Sequence, residues 1–341
     1  MTSNDGQHGL PAIPRVVRDG IIGPVDTSKV PRYSGLATFA LLPRLDEVEK
    51  ADIAVLGAAF DSGVTFRPGA RFGPAHVREA SRMLRSYHPG VKAYPFGVKQ
   101  VVDAGDVPMN PFDIMEALSA LESAAGYFAD EQIRLLTIGG DHSISLPLLR
   151  AVTKTRGPVA FVHFDAHLDT NDQYFGSRYT HGTPFRRAYD EDLFDRSALF
   201  HIGTRASTYG REDYEMDATI GFNVISSDDV YEQGPRAVAA EIRRLVGSKP
   251  LYLSLDIDVM DPAFAPGTGT PEAGGLSSRE VITIIRNLAS LDMVGADIVE
   301  VAPAYDSGDI TAVAASHVAY ELITLMSRLP QEPPRATDQP S

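Results

Sequence analysis

Three side chains that could bind a metal ion occupy alternate positions of one short segment. The segment 161–169, FVHFDAHLD, begins as an apolar strand and ends in Asp165, His167 and Asp169. Because side chains of an extended chain alternate between two faces, these three would project to the same side. Two carboxylates and an imidazole held together repel one another and lose solvation unless a cation or a proton compensates. Taken alone, the segment fits a metal site and a solvated strand end equally well.

A second pair of carboxylates has the same spacing. Asp256 and Asp258 end the apolar segment 251–258, LYLSLDID, and His142 follows a third apolar segment in GGDHS. The carboxyl ends of parallel strands meet at one edge of a sheet, where ligands bind. Without a cation, four carboxylates and two imidazoles at that edge would repel one another. Two divalent ions bridged by shared carboxylates would neutralise them and could hold a hydroxide at neutral pH.

Alternating strands and helices position these residues. We expect strands at 52–60, 134–138, 159–165, 198–203, 251–258 and 294–301, and helices at about 75–84, 113–130, 236–246, 278–290 and 311–328. Short apolar strands separated by amphipathic helices are typical of a parallel sheet covered on both faces. We therefore predict one α/β domain over residues 31–329, an N-terminal arm over 1–30 that is mobile or contacts another subunit, and a disordered tail over 330–341.

Composition and charge exclude several other functions. The chain has 31 basic and 45 acidic residues, a net charge of -14, which repels nucleic acid and anionic lipid. No uninterrupted apolar run has the length of a membrane span, and the N-terminus lacks a signal-peptide pattern, so we expect a cytoplasmic protein. The absence of cysteine leaves only oxygen and nitrogen ligands for a metal.

Three segments together are similar to the signatures of the ureohydrolase family, which includes arginases, agmatinases and guanidino-acid amidinohydrolases. They are GGDHS with His142, DAHLD over 165–169, and SLDIDVMDPAFAPGTGTPEAGG with Asp256 and Asp258. The similarity spans roughly residues 30–328. The loop THGTPFRR at 180–187 and the segment RPGARFGPAHVREASR at 67–82 resemble the agmatinase branch.

The resemblance implies a three-layer α/β/α sandwich around an eight-stranded parallel sheet and a binuclear metal site, usually manganese, with Ni²⁺ and Co²⁺ as alternatives. It also implies a homo-oligomer, commonly a trimer or hexamer. A hetero-oligomer with a paralogue is the alternative. The ligands of one ion would be His142, Asp165, Asp169 and Asp256, and those of the other Asp165, His167, Asp256 and Asp258.

Two further residues match positions to which the family assigns catalytic roles. His181 matches the histidine that carries protons to the leaving amine, a task suited to a group that titrates near neutral pH. Glu300 matches the carboxylate that hydrogen-bonds the substrate guanidinium, whose planar donors fit two carboxylate oxygens. The implied reaction is attack of a metal-bridging hydroxide on the guanidinium carbon. It releases urea, or a urea analogue, and an amine from a small cationic substrate.

The sequence leaves the substrate open. Asn171 follows DAHLD, where many agmatinase-like sequences have a tryptophan before the aspartate. An asparagine there resembles enzymes of guanidino acids, in which an amide can donate to a substrate carboxylate. Agmatine, guanidinobutyrate, guanidinopropionate, and short or substituted guanidines or biguanides are all compatible. A deacetylase on the same fold would need a different ligand set, and a non-catalytic partner subunit should have lost ligands. We expect His163 to be a core histidine or one that supports a ligand, and His201 to be structural.

Overall fold

The computed structural model describes residues 13–328 of the chain. Its strands are β1 (Arg15–Arg18), β2 (Ile21–Val25), β3 (Ile53–Ala58), β4 (Val101–Asp106), β5 (Arg134–Gly139), β6 (Val159–Phe164), β7 (Phe194–Thr204), β8 (Phe222–Ser226), β9 (Pro250–Asp256) and β10 (Asp292–Val299). Its α-helices are α1 (Gly73–Ser81), α2 (Ile114–Asp130), α3 (Ser145–Arg156), α4 (Pro184–Asp190), α5 (Arg211–Ile220), α6 (Ser227–Gln233), α7 (Pro235–Val246), α8 (Ser278–Arg286) and α9 (Ile310–Ser327).

Eight of the strands form one parallel sheet in the order β4-β3-β5-β10-β9-β6-β7-β8. Each strand face packs on helices, as β6 illustrates. Ala160, Val162 and Phe164 join the core under α1, α7, α8 and α9, whereas Val159 and Phe161 join the core under α2, α3 and α4. Burial on both faces explains why the central strands are continuously apolar. The predicted three-layer α/β/α sandwich with an eight-stranded parallel sheet is confirmed.

The helix ends follow local chemistry. Asp113 precedes α2, and its carboxylate accepts hydrogen bonds from the backbone N–H groups of Met115 and Glu116, as the sequence predicts. Helix α8 ends at Arg286, four residues earlier than expected, and the backbone N–H of Asn287 donates to carbonyl groups of the last turn. Strands β4 and β8 and helices α4, α5 and α6 are additions to the elements that the sequence patterns indicated.

The chain preceding the sheet is partly ordered. Strands β1 and β2 form an antiparallel hairpin, and the Gln100 side chain bonds both the N–H and the carbonyl of Ile22. Arg15 donates to the Leu41 carbonyl and to Glu47. This part of the expected N-terminal arm therefore packs on the domain. Residues 1–12 and the expected tail over 330–341 lie outside the described residues, and the domain limits stay a prediction.

Helix α9 is long and apolar enough to cross a membrane, although polar residues interrupt its sequence. In the fold, 78% of this helix is buried. It packs against α1, α8 and the sheet as a core helix. Its composition therefore reflects its central place in the domain.

Candidate metal centre

Four neighbouring strands of the sheet end at the candidate site. In the order β5-β10-β9-β6, the segments that follow these strands carry His142, Glu300, Asp258 and Asp165, and Asp256 is the last residue of β9. Chain segments far apart in sequence meet here because the strands are parallel and adjacent. The expected site at the carboxyl edge of the sheet is therefore formed.

The His142 imidazole faces three carboxylates. Its Nδ1 lies 3.2 Å from an Asp165 oxygen, 3.0 Å from an Asp169 oxygen and 3.4 Å from an Asp256 oxygen. Burial lowers the pKa of His142, but the hydrogen bonds of the three carboxylates outweigh it, so the pKa is raised well above its ordinary value. The geometry thus demands a positive charge between the imidazole and the carboxylates.

A hydrogen-bond chain behind His142 fixes which nitrogen faces the carboxylates. His142 Nε2 lies 2.8 Å from the Ser254 hydroxyl, which donates to Asp297 at 2.6 Å. Since the hydroxyl proton goes to Asp297, Nε2–H donates to Ser254, which leaves Nδ1 facing the three carboxylates, where it would bind a cation once the ring is neutral. Metal-binding histidines commonly donate their second N–H in this way. A cation held by Nδ1 and the three carboxylates removes the repulsion.

A second group of ligand atoms adjoins the first. His167 Nδ1 lies 3.1 Å from Asp165 Oδ1 and 3.2 Å from Asp258 Oδ2. Asp165 directs Oδ2 to His142 and Oδ1 to His167, as a carboxylate shared by two ions would. Asp256 directs Oδ2 to His142, while its Oδ1 accepts the backbone N–H of Asp258 at 2.8 Å. The structure thus brings all six predicted ligands together, with Asp256 nearer the first group.

Electrostatics supports a cation at both groups. Burial raises the pKa of Asp258 to about 6, and the neighbouring Asp165 adds to the effect. Burial, then Asp258 and Asp165, raises the pKa of Asp256 well above its ordinary value. Carboxylates that resist ionisation together signal uncompensated negative charge. Oxygen and imidazole donors of this kind suit divalent ions such as Mn²⁺, so the donor set fits a two-metal centre.

His181 and Glu300 form a pair beside this cluster. His181 Nδ1 lies 3.1 Å from Glu300 Oε1, which also accepts the backbone N–H of His142 at 3.0 Å. The other ring nitrogen, Nε2, lies 2.8 Å from the Thr65 hydroxyl, to which the protonated ring can donate. Burial lowers the pKa of His181, but Glu300, followed by Asp169 and Asp141, outweighs it and raises the pKa to about 9.

Two residues of the site have backbone strain. Asp169 has φ 55° and Glu300 has φ 62°, in the left-handed region that residues other than glycine seldom adopt. Such conformations cost on the order of 1–3 kcal/mol each and cluster at functional sites. The strain directs both carboxylates into the site at the ends of their strands.

A cavity of about 430 Å³ opens over the cluster. Asp169, His181 and Thr270 line its inner end, and Glu300 lies behind His181, outside the lining. Asn171 is also in the wall, where its Nδ2 donates to the Tyr174 hydroxyl at 2.8 Å. The outer wall includes three tyrosines and three carboxylates, contributed by the loop over residues 172–174, by the residue before Gly210 and by the first turn of α5, namely Asp172, Tyr174, Tyr209, Glu212, Asp213 and Tyr214.

Several residues of the site escaped the sequence analysis. Ser254 and Asp297, which orient His142, are polar residues inside buried strands, and that pattern could have identified them. Thr270 Oγ1 donates to Asp258 from the same signature segment that carries Asp256 and Asp258, which could have identified it. His163 lies 2.9 Å from Asp165 Oδ2 through its Nε2, which fits the expected supporting histidine.

Comparisons with known proteins identify the family of this chain. The model of the arginase family matches residues 51–324. A guanidinopropionase and a guanidinobutyrase of Pseudomonas aeruginosa are 43% and 42% identical, each over 89% of this chain and 96% of the relative. The structure of a proclavaminate amidinohydrolase from Streptomyces clavuligerus superposes with a TM-score of 0.84 at 42% identity, covering 87% of this chain and 99% of that one. The predicted family is confirmed: the chain belongs to the arginase family.

Proposed function

We propose that this protein is an amidinohydrolase that cleaves a guanidino C–N bond to release urea, or a urea analogue, and an amine, in the manner of an agmatinase. The observation that carries the proposal is His142 Nδ1, which lies within 3.4 Å of oxygens from three carboxylates, next to a second imidazole–carboxylate group that shares Asp165. The relatives named guanidinopropionase and guanidinobutyrase support a guanidino substrate.

The proposed ions are two divalent metals, with Mn²⁺ first and Ni²⁺ or Co²⁺ as alternatives. One would be held by His142, Asp165, Asp169 and Asp256, and the other by Asp165, His167, Asp256 and Asp258. Such a pair supplies a nucleophile from water at neutral pH and stabilises the charge that develops during its attack. Backbone donors hold the carboxylates ready, since Ala166 N–H bonds Asp258 at 3.1 Å and His167 N–H bonds Asp165 at 2.6 Å.

His181 would deliver the proton to the departing nitrogen. Glu300 accepts Nδ1–H, which leaves Nε2 beside Thr65. His181 and Thr65 both line the cavity. The raised pKa of His181 keeps the ring protonated at neutral pH, as a general acid requires. Oε1 of Glu300 is occupied by His181 and His142, and Glu300 lies outside the cavity lining, so its direct contact with a substrate N–H stays a prediction.

The charge of the outer wall bears on the tail of the substrate. Glu212 and Asp213 line the cavity, whereas the one lysine or arginine that residues 13–328 contribute to the lining, Arg186, bonds Asp190 at 3.1 Å. Among these residues, a carboxylate tail would meet negative charge without a free cation to pair with. We therefore propose a substrate with a cationic tail, as in agmatine, or with a neutral one, in preference to a guanidino acid. The role of Asn171 toward a substrate carboxylate stays a prediction.

A substrate panel tests this function. Metal-loaded protein is assayed for urea with agmatine, guanidinobutyrate, guanidinopropionate, arginine, guanidine and biguanides. We expect urea, or the corresponding analogue, from at least one compound, with guanidino acids the poorer substrates. Absence of hydrolysis across the panel would refute the enzymatic function.

One variant tests the negative charge of the cavity wall without changing the proposed metal ligands. Asp213→Asn keeps an oxygen for the Tyr209 N–H but removes the charge, so the kcat/KM ratio of guanidinobutyrate to agmatine should rise. Glu241→Gln, an exposed change in α7, is the matched control and should leave the ratio unaltered.

Several expectations from the sequence stay predictions. They are the trimer or hexamer with its hetero-oligomer alternative, the cytoplasmic location, and the absence of nucleic-acid and membrane partners.

A further inference from the structure

Two buried histidines and a buried aspartate connect helix α5 to the metal cluster. His163 in β6, His201 in β7 and Asp217 in α5 each have a side chain with no exposed surface. His163 Nε2 lies 2.9 Å from Asp165 Oδ2, His163 Nδ1 lies 2.7 Å from His201 Nδ1, and His201 Nε2 lies 3.2 Å from Asp217 Oδ2. The three contacts form a continuous array from α5 to a proposed metal ligand.

Asp217 also holds a second part of the centre. Its Oδ1 accepts the hydroxyl of Thr170, the residue that directly follows the proposed ligand Asp169. Its helix supplies Glu212 and Asp213 to the cavity wall. One buried carboxylate thus joins the wall helix, the loop that carries Asp169 and the array that ends at Asp165.

We propose that Asp217 is a positioning residue of the metal centre. Through His201 it holds the His163 ring with Nε2 against Asp165 Oδ2, and through Thr170 it holds the loop of Asp169. This inference rests on the proposed function in that Asp165 and Asp169 bind the ions. Residues that hydrogen-bond metal ligands typically change metal affinity by about 10–100-fold when they are replaced.

The test measures Co²⁺ and Mn²⁺ binding to metal-free protein by calorimetry, together with the visible absorption of the Co²⁺ form. Asp217→Ala should weaken metal binding by about 10–100-fold and alter the Co²⁺ spectrum. Asp217→Asn should restore most of the affinity, because its amide can donate to His201 Nε2 and its oxygen can accept from Thr170. His201→Phe keeps the stacking on Phe222 but removes the donors, and should behave as Asp217→Ala.

A buried pair elsewhere provides the control. His88 Nε2 lies 2.9 Å from Glu321, both side chains are buried, and neither lines the cavity. His88→Ala should destabilise the protein without changing metal affinity or the Co²⁺ spectrum. Wild-type affinity in both Asp217→Ala and His201→Phe, or an equal loss in His88→Ala, would overturn the inference. Failure of the wild-type protein to bind two ions would instead overturn the proposed function.

Discussion

The pairing of Glu300 with His181 leads to a double-mutant cycle. Glu300→Gln retains an oxygen that can accept the His142 backbone N–H, but it removes the charge that faces His181 Nδ1 at 3.1 Å. Without that charge, the raised pKa of His181 should fall and less of the acid form should be present at neutral pH. We expect turnover to fall while metal content is retained.

The magnitude follows from the kind of contact that is lost. A hydrogen bond to a charged group contributes about 1.5–3 kcal/mol. At 1.4 kcal/mol for each factor of ten, Glu300→Gln should lower kcat roughly 10- to 150-fold. His181→Asn removes the acid itself, and general acids contribute about 10²–10⁴-fold. Since Glu300 acts mainly through His181, the double variant should be scarcely slower than His181→Asn.

The cycle is read from kcat at saturating substrate, with metal content determined for all four proteins. We expect a coupling free energy of about 1.5–3 kcal/mol between the two positions. Independent effects that add to within about 0.3–0.5 kcal/mol would refute the coupling. Loss of metal in Glu300→Gln would show that Glu300 acts on the metal ligands instead.

Four further changes test the framework. Gly140→Ala would place a Cβ 1.6 Å from the Phe60 carbonyl oxygen, so it should lower the free energy of unfolding in urea by more than about 2 kcal/mol. Gly126 lies inside α2, and a Cβ there would have no neighbour within 4 Å. Gly126→Ala should therefore raise the free energy of unfolding by about 0.5–1 kcal/mol. Asp113→Ala removes the α2 cap and should cost about 1 kcal/mol with metal binding unchanged. Chelation of the metal should lower the Tm. Adding Mn²⁺ back at about 100 times its Kd should raise the free energy of unfolding by about 2.7 kcal/mol. An unchanged Tm after complete metal removal would contradict this expectation.

The parts of the fold that the sequence predicts are those with a local pattern. Strands β6 and β9 are continuous apolar runs, and Asp113 is a cap within its own helix. Strand β4 was missed because Asp103 is a polar residue in a buried strand, and its partner Arg78, at 2.8 Å, comes from α1. Strand β8 was missed because it has five residues, one of them exposed Asn223.

The same distinction applies to the site. The six candidate ligands share strand-end spacing and a family resemblance, so they could be named from the sequence. The array of His163, His201 and Asp217 could not, because Asp217 comes from a helix whose sequence gives no sign that it faces a histidine of another strand. Contacts between distant segments depend on the strand order, and no local pattern contains that order.

The measurement that tests the central claim most directly is the metal-to-chain ratio, taken on the same samples that are assayed for urea release. We expect two ions per wild-type chain after loading with Mn²⁺ and desalting, with activity lost on chelation and regained as the second ion is bound. Asp258→Ala should lower both the metal content and the turnover. Two bound ions in Asp258→Ala, or undiminished hydrolysis by metal-free protein, would contradict the two-metal centre.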